Sequence, residues 1–254
     1  MSEEKGRRRR GVRWNPPARM KQPIRAIMAR LGFEIVALQR PSTRFLQQLL
    51  ADRQINLLLD VGANQGQYAL RMRTLGYRGL LFSYEPGSDA FKLLARHARN
   101  DATWEVFNYG LGAVDAKKLL NVSGDSVSSS FLRVSPTHIL AAPKSAIAHT
   151  EPAEIHRLDG VVSANRSDKI WLKLDTQGSE LEVLKGGGAV LAQTEIVQTE
   201  MALVPCYEGD AEYTQIFDVL HSAGFRLVFV EQGTQIASTG ETLQFDGIFA
   251  RRHP

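Results

Sequence analysis

Residues 57–68 read Leu-Leu-Leu-Asp-Val-Gly-Ala-Asn-Gln-Gly-Gln-Tyr, an apolar run that meets Asp60 and is then broken by Gly62 and Gly66. A run this short, closed by an acid and glycines, is a buried strand, a tight turn and the beginning of a helix. Nucleotide-like ligands bind at such turns in parallel α/β folds, where backbone N–H groups and a helix N-terminus approach the ligand. Gly62, Ala63, Asn64, Gly66 and Tyr68 are therefore the first candidates for ligand contact.

Asp60 narrows the ligand. A carboxylate two residues before Gly62 repels a pyrophosphate and suits a ligand that carries positive charge, as S-adenosylmethionine does with its ammonium and sulfonium. One strand later, Leu80-Leu81-Phe82-Ser83-Tyr84-Glu85-Pro86 is a second apolar run ending in an acid, with Glu85 lying 23 residues beyond Gly62. An acid at that distance, on the tip of the second parallel strand, is placed to accept both hydroxyls of a ribose. Pro86 has no N–H to donate and ends the strand. The two acids together favour a methyl donor over NAD, and an NAD-dependent oxidoreductase is further disfavoured by the lack of a G-x-G-x-x-G run.

A third stretch, Leu172-Lys173-Leu174-Asp175-Thr176-Gln177-Gly178-Ser179-Glu180, follows in order. With Asp60–Gly66 and Tyr84–Pro86 it resembles the FkbM-type family of S-adenosylmethionine-dependent O-methyltransferases, over roughly residues 55 to 251. The resemblance implies a Rossmann-like class I methyltransferase fold: α/β, a seven-stranded, mostly parallel sheet whose last strand, Leu243–Ala250, is antiparallel, preceded here by N-terminal helices. It also implies methyl transfer to a hydroxyl on a sugar of a glycolipid, polysaccharide or glycosylated natural product. Where the family more often reads Asp-Val-Glu-Gly-x-Glu, this chain has Gln177 in place of the acid. That removes the charge a two-carboxylate metal site with Asp175 would need, and a role for a divalent metal is left open.

The rest of the composition fits that reading. At 254 residues the chain is long enough for one large α/β domain, and 43% hydrophobic with 23% charged residues is ordinary for a soluble protein. One cysteine, Cys206, allows no intramolecular disulfide, and no apolar run approaches the ~18 residues of a membrane span. A cytoplasmic protein is expected. Of the net charge of +4, residues 1–30 contribute +8 and the remainder −4. Residues 1–20 are expected to form a disordered basic tail without the apolar core of a signal peptide, residues 21–54 a helical segment, and residues 55–254 the methyltransferase domain.

Within the helical segment, Pro23–Gln39 is amphipathic and Thr43–Arg53 reads as a second helix. The amphipathic helix packs on its own domain in one reading. In the other it lies peripherally on the inner membrane surface, which would suit a lipid-linked acceptor. Arg7–Arg10 are read as a solvated basic leader, the commoner case, over a nucleic-acid or anionic-lipid contact, and the body is acidic and shows no basic stripe with interleaved aromatics. An RNA methyltransferase is accordingly disfavoured, and N-methylation of a small molecule or protein stays as the alternative.

From Ile55 strand and helix patterns alternate, which predicts a sheet covered on both faces. Strands are expected near 56–61, 80–84, 104–109, 169–174, 195–200, 226–231 and 243–250, and helices near 66–75, 88–99, 179–192 and 211–223. Gly110 and Gly112 form a turn that presents Leu111 to the adenine. Residues 113–168 are an irregular insertion and the candidate acceptor lid, with a hairpin over Val114–Val122, a polar turn over Asp125–Ser130 and a short helix within Thr137–Thr150.

Methyl transfer is an in-line displacement in which positioning supplies much of the rate, and an alcohol acceptor also loses a proton. Asp175, at the end of a strand beside the cofactor turn, is the first candidate for base and a further cofactor contact. Glu200 and His149 are the others. Strand alternation places Lys173 on the face of Asp175, where an ion pair would hold the carboxylate ionised.

Overall fold

The structure, a computed structural model, describes residues 41–252 except 164, 166, 237 and 238. The expected basic tail and the amphipathic helix over Pro23–Gln39 lie outside the described residues. In chain order the elements are α1 (Pro41–Asp52), β1 (Leu57–Val61), α2 (Gln67–Thr74), β2 (Leu80–Tyr84), α3 (Ser88–Ala98), β3 (Trp104–Phe107), β4 (Gly110–Gly112) and β5 (Ala116–Ser123). There follow α4 (Pro136–Ala141), β6 (Ile147–Arg157), α5 (Leu158–Val161), β7 (Ile170–Leu174), α6 (Glu180–Lys185), α7 (Gly188–Gln193), β8 (Thr194–Ala202), α8 (Tyr213–Ser222), β9 (Phe225–Gln232) and β10 (Gln244–Arg251).

Seven strands form the main sheet in the order β3-β2-β1-β7-β8-β10-β9. β1 is parallel to both neighbours, with Leu58 opposite Leu81 and Trp171. β10 alone runs antiparallel, to β8 and to β9. The strand order therefore reverses between β1 and β7, the place where open α/β sheets bind ligands at their carboxyl edge.

Every residue of β1 is buried because helices cover both faces. The two-residue period of a strand sorts its side chains. Leu57, Leu59 and Val61 join Ile170, Leu172, Leu174 and Val197 in a core closed by α6, α7 and α8. Leu58 joins Trp171, Ile196 and Ile248 in a second core, closed by α1, α2 and α3. Each fully buried leucine contributes about 1.5–3 kcal/mol.

The same parity brings polar groups together. Asp60, Lys173 and Gln198 stand side by side one level above the apolar row Leu58, Trp171, Ile196. Asp246 faces Glu200 one level higher. The α2-side face of the sheet is thus apolar in its lower half and charged at its carboxyl edge.

Three local expectations are corrected. Val114–Val122 is no hairpin: β5 pairs antiparallel with the distant β6, which also pairs in parallel with β4, giving a separate three-stranded sheet. Gly110–Gly112 is accordingly a strand rather than a bare turn. The helix expected over 179–192 is two helices, since Gly186 approaches the Gly112 backbone so closely that a β-carbon would fall on the Gly112 carbonyl. The second of them starts afresh on Asp159, whose carboxylate accepts the N–H groups of Ala189 and Val190, each at 2.9 Å.

Candidate functional site

A cavity of about 350 Å³ opens at the carboxyl edge, where the order reverses, within the range of small-molecule sites. The turn after β1 forms its floor. Gly62 has φ +76°, and a β-carbon there would strike the backbone carbonyl of Asp175, so only glycine lets the β1 and β7 ends close on each other. Asn64 (φ 46°) and Gln177 (φ 55°) are also left-handed, and both wall the cavity. Such backbone outliers cluster where a loop is held for a ligand.

Glu85 reaches the cavity from the end of β2. Its Oε2 accepts the Asn64 N–H and its Oε1 the Gly87 N–H, each at 2.7 Å. These bonds lock the carboxylate between the two loops and leave further lone pairs on both oxygens. Burial is the largest influence on Glu85 and pushes its pKa up to about 7, against the two backbone donors. Pro86, Leu111 and Phe131 form an apolar wall nearby. The Phe131 ring occupies the space that a β-carbon on Gly110 would take.

The opposite wall is polar. Lys173 is buried (5% exposed) and bridges Asp175 Oδ2 at 3.1 Å and Asp60 Oδ1 at 3.4 Å, the pairing that strand alternation predicts for Asp175. Burial alone would lower the Lys173 pKa; Asp175 and Asp60 outweigh it and hold the ammonium above its ordinary value. The Gln177 amide donates to Asp175 Oδ1 at 2.6 Å and to Glu200 Oε2 at 2.8 Å, and its carbonyl accepts from the Tyr207 hydroxyl at 2.6 Å. The Tyr68 hydroxyl donates to Gln198 Oε1 at 2.7 Å. From the insertion, Ser126 donates to Asn64 Oδ1 at 3.2 Å and Ser130 to the backbone carbonyl of Gln177 at 2.7 Å, which fastens the Asp125–Ser130 turn across the cavity.

Of the residues singled out in the sequence, Gly62, Ala63, Asn64, Tyr68, Glu85, Pro86, Leu111 and Asp175 line one cavity. Asp60 does not. It is fully buried beneath the floor, where Ser83 and Lys173 hold it, and burial raises its pKa. Gly66 is the N-cap of α2 and packs on Leu94 and Trp104. Glu200 stands behind Gln177, outside the wall, with its pKa raised well above normal by burial and then by Asp175, Glu180 and Asp246. His149 is exposed on β6, opposite Val122, outside the cavity lining. Sequence reading passed over Gln198, Tyr207, Phe131 and Asp246. The alternation of Ile196, Gln198 and Glu200 along β8 was the available signal for the first of these.

S-adenosylmethionine fits this donor set. Glu85 offers two accepting oxygens to a ribose, the apolar wall at Leu111 and Phe131 suits a base, and the left-handed turn at Gly62–Asn64 opens the floor to the remaining chain. Among the described residues no group of three or more His, Cys, Asp or Glu is arranged to hold a metal ion.

The sheet order, the single antiparallel strand and a cavity at the order reversal define a Rossmann-like class I methyltransferase. Residues 60–227 match the model of the methyltransferase FkbM domain, and the chain belongs to that family of S-adenosylmethionine-dependent methyltransferases. It is similar to the 2-O-methyltransferase NoeI of Sinorhizobium fredii (strain NBRC 101917 / NGR234), 28% identical over 182 residues that cover 68% of this chain and 73% of that one. Among solved structures, the magnesium protoporphyrin IX methyltransferase ChlM of Synechocystis PCC 6803 with bound SAM aligns at TM-score 0.46 and 9% identity, covering 91% of this chain and 97% of that one. An rRNA methylase from Streptococcus thermophilus aligns at TM-score 0.46 and 10% identity, covering 86% and 100%. No helix among the described residues is long and apolar enough to cross a membrane.

A ribose held on Glu85 would tie cofactor binding to pH. The carboxylate must be ionised to accept both hydroxyls, and burial places its midpoint at about 7, below which it is largely protonated. Affinity for S-adenosylmethionine measured by calorimetry is therefore expected to rise as pH increases through 7. Glu85→Gln is expected to bind about 10-fold or more weakly and to lose that pH dependence, since a bond to a charged acceptor is worth about 1.5–3 kcal/mol. An unchanged affinity would remove Glu85 from the cofactor site.

Proposed function

We propose that the protein moves a methyl group from S-adenosylmethionine to a hydroxyl of a sugar. The observation that carries this reading is the polar wall facing the cofactor turn, where Arg71, Asp175, Gln177 and Asp246 present charged and amide groups around the Tyr68 side chain. Carboxylates, amides and an aromatic ring are the groups that grip a polyhydroxylated ligand through many directional hydrogen bonds. The relative whose name specifies 2-O-methylation supports oxygen as the acceptor atom.

In this reading Glu85 holds the ribose, the apolar wall at Leu111 holds the adenine, and the Gly62–Asn64 turn receives the methionine portion. The bound cofactor supplies an electrophilic methyl on a cationic sulfur. Asp175, fixed by Lys173 and Gln177, orients the acceptor. The turn over Asp125–Ser130 screens the reacting centre from water.

The test is to incubate the protein with methyl-labelled S-adenosylmethionine and the lipid-rich and delipidated fractions of a cell extract, hydrolyse the products and identify the labelled unit. An O-methyl monosaccharide is expected, and its fraction tells a lipid-linked from a soluble acceptor. Label on nitrogen or in RNA overturns the reading.

A further inference from the structure

We propose that Asp246 is the general base that takes the proton from the acceptor hydroxyl. The inference rests on the hydroxyl acceptor proposed above and deepens it. Asp246 lies beyond residues 60–227, outside the stretch that matches the family model.

The assignment follows from which carboxylates are free to receive a proton. Glu85, Asp175 and Asp246 wall the cavity. In the reading above Glu85 is committed to the ribose, and both oxygens of Asp175 already accept from Lys173 and Gln177, bonds that a proton on either oxygen would weaken. Glu200 stands behind Gln177 and His149 outside the cavity. Asp246 remains: among the described residues neither of its oxygens has a protein hydrogen bond, and neither is sealed from solvent. Antiparallel β10 begins at the carboxyl edge of the sheet, which sets Asp246 opposite Glu200 on one side and Glu231 on the other.

The surrounding charges suit the task. Asp175 and Lys173 face it from β7, Glu200 from β8, Glu231 from β9, and Tyr68 and Arg71 from α2. Burial raises the Asp246 pKa most, repulsion from Asp175 and Glu231 adds to this, and Lys173 and Arg71 restrain it, leaving it at about 6. Such a group is ionised near neutral pH yet more basic than an ordinary aspartate, as proton transfer in the transition state requires. The acceptor oxygen bonds to the methyl carbon as the carbon–sulfur bond breaks with its electron pair staying on sulfur. The hydroxyl proton passes to an Asp246 oxygen and then to solvent.

The test compares wild type, Asp246→Asn, Asp246→Glu and Asp175→Asn, using methyl-labelled S-adenosylmethionine with a panel of methyl glycosides and with extract fractions. Calorimetry gives cofactor affinity and thermal unfolding gives integrity. For Asp246→Asn, kcat is expected to fall about 10²–10⁴-fold with cofactor affinity unchanged. With S-adenosylmethionine saturating at every pH, so that Glu85 titration drops out, the acidic limb of the wild-type kcat/KM profile for the acceptor, centred near pH 6, disappears in that variant. Asp246→Glu, which retains a carboxylate, keeps the limb at reduced kcat. If Asp246→Asn keeps both rate and limb, or if Asp175→Asn loses the limb instead, the assignment is overturned while sugar methylation stands. If a non-sugar hydroxyl is labelled and Asp246→Asn is slowed, the sugar reading falls and the base assignment holds. No labelled hydroxyl in any fraction overturns both.

Discussion

Lys173→Met is expected to destabilise the protein by about 3–5 kcal/mol at pH 8, because removing one partner of a buried ion pair leaves an uncompensated charge in the core. The charge left is Asp60, 0% exposed, with the weak Ser83 contact at 3.5 Å as its other support. The sign of the pH dependence follows from Asp60. Its folded pKa is already raised by burial and opposed by Lys173. Without the lysine the folded state holds the proton to still higher pH than the unfolded chain does. Native protein then binds more protons than unfolded protein, so stability of the variant falls as pH rises. The deficit against wild type should therefore shrink on acidification. Asp60→Asn combined with Lys173→Met should recover much of the loss, since a pair replaced as a whole leaves no orphan charge. Urea unfolding at pH 5 and pH 8 checks this. Equal deficits at both pH values, or no recovery in the double variant, would mean that Lys173 serves Asp175 rather than Asp60.

The second large effect is expected at Gly62. Alanine there would need a left-handed conformation that costs about 1–2 kcal/mol. Its β-carbon would also strike the Asp175 carbonyl, a backbone atom that cannot rotate away. The β1 and β7 ends must part, which breaks the hydrogen bond from the Asp175 N–H to the Val61 carbonyl (3.0 Å) and moves the Asn64 N–H off Glu85. Gly62→Ala should lose more than about 3 kcal/mol of stability and bind no S-adenosylmethionine at concentrations that saturate wild type. Gly76→Ala is a control for backbone strain alone: its φ is +101°, yet no atom lies within 4 Å of an added β-carbon. Similar losses in the two variants would show that conformation, not the close approach, governs Gly62.

Most of the main sheet was legible in the chain because local pattern and tertiary environment agree. β1, β2 and β7 are largely buried and read as short apolar runs, each interrupted by one polar residue (Asp60, Ser83 and Lys173), and β2 and β7 run directly into an acid at the edge where ligands bind. The insertion was not legible. β6 contains Pro152 and alternates weakly, and its partner β5 lies far away in sequence, so nothing local marks either as half of a ladder.

Asp246 was missed for a geometric reason. Reading the ends of strands finds the ligand edge for parallel strands, whereas an antiparallel strand brings its beginning to that edge. Asp60 shows the converse. Its place beside the glycine turn suggested contact with a cationic ligand, but strand parity turns it under the floor toward Lys173.

The sequence by itself determined the fold class, the family and the cluster of glycine turn, Glu85 and Asp175, because these depend on residue order along a few buried strands. Tertiary structure decided which carboxylates face the cavity, which are already bonded and which are sealed away. Those properties depend on neighbours contributed by β7, β8, β10 and α2, whose register and direction no single stretch of sequence encodes.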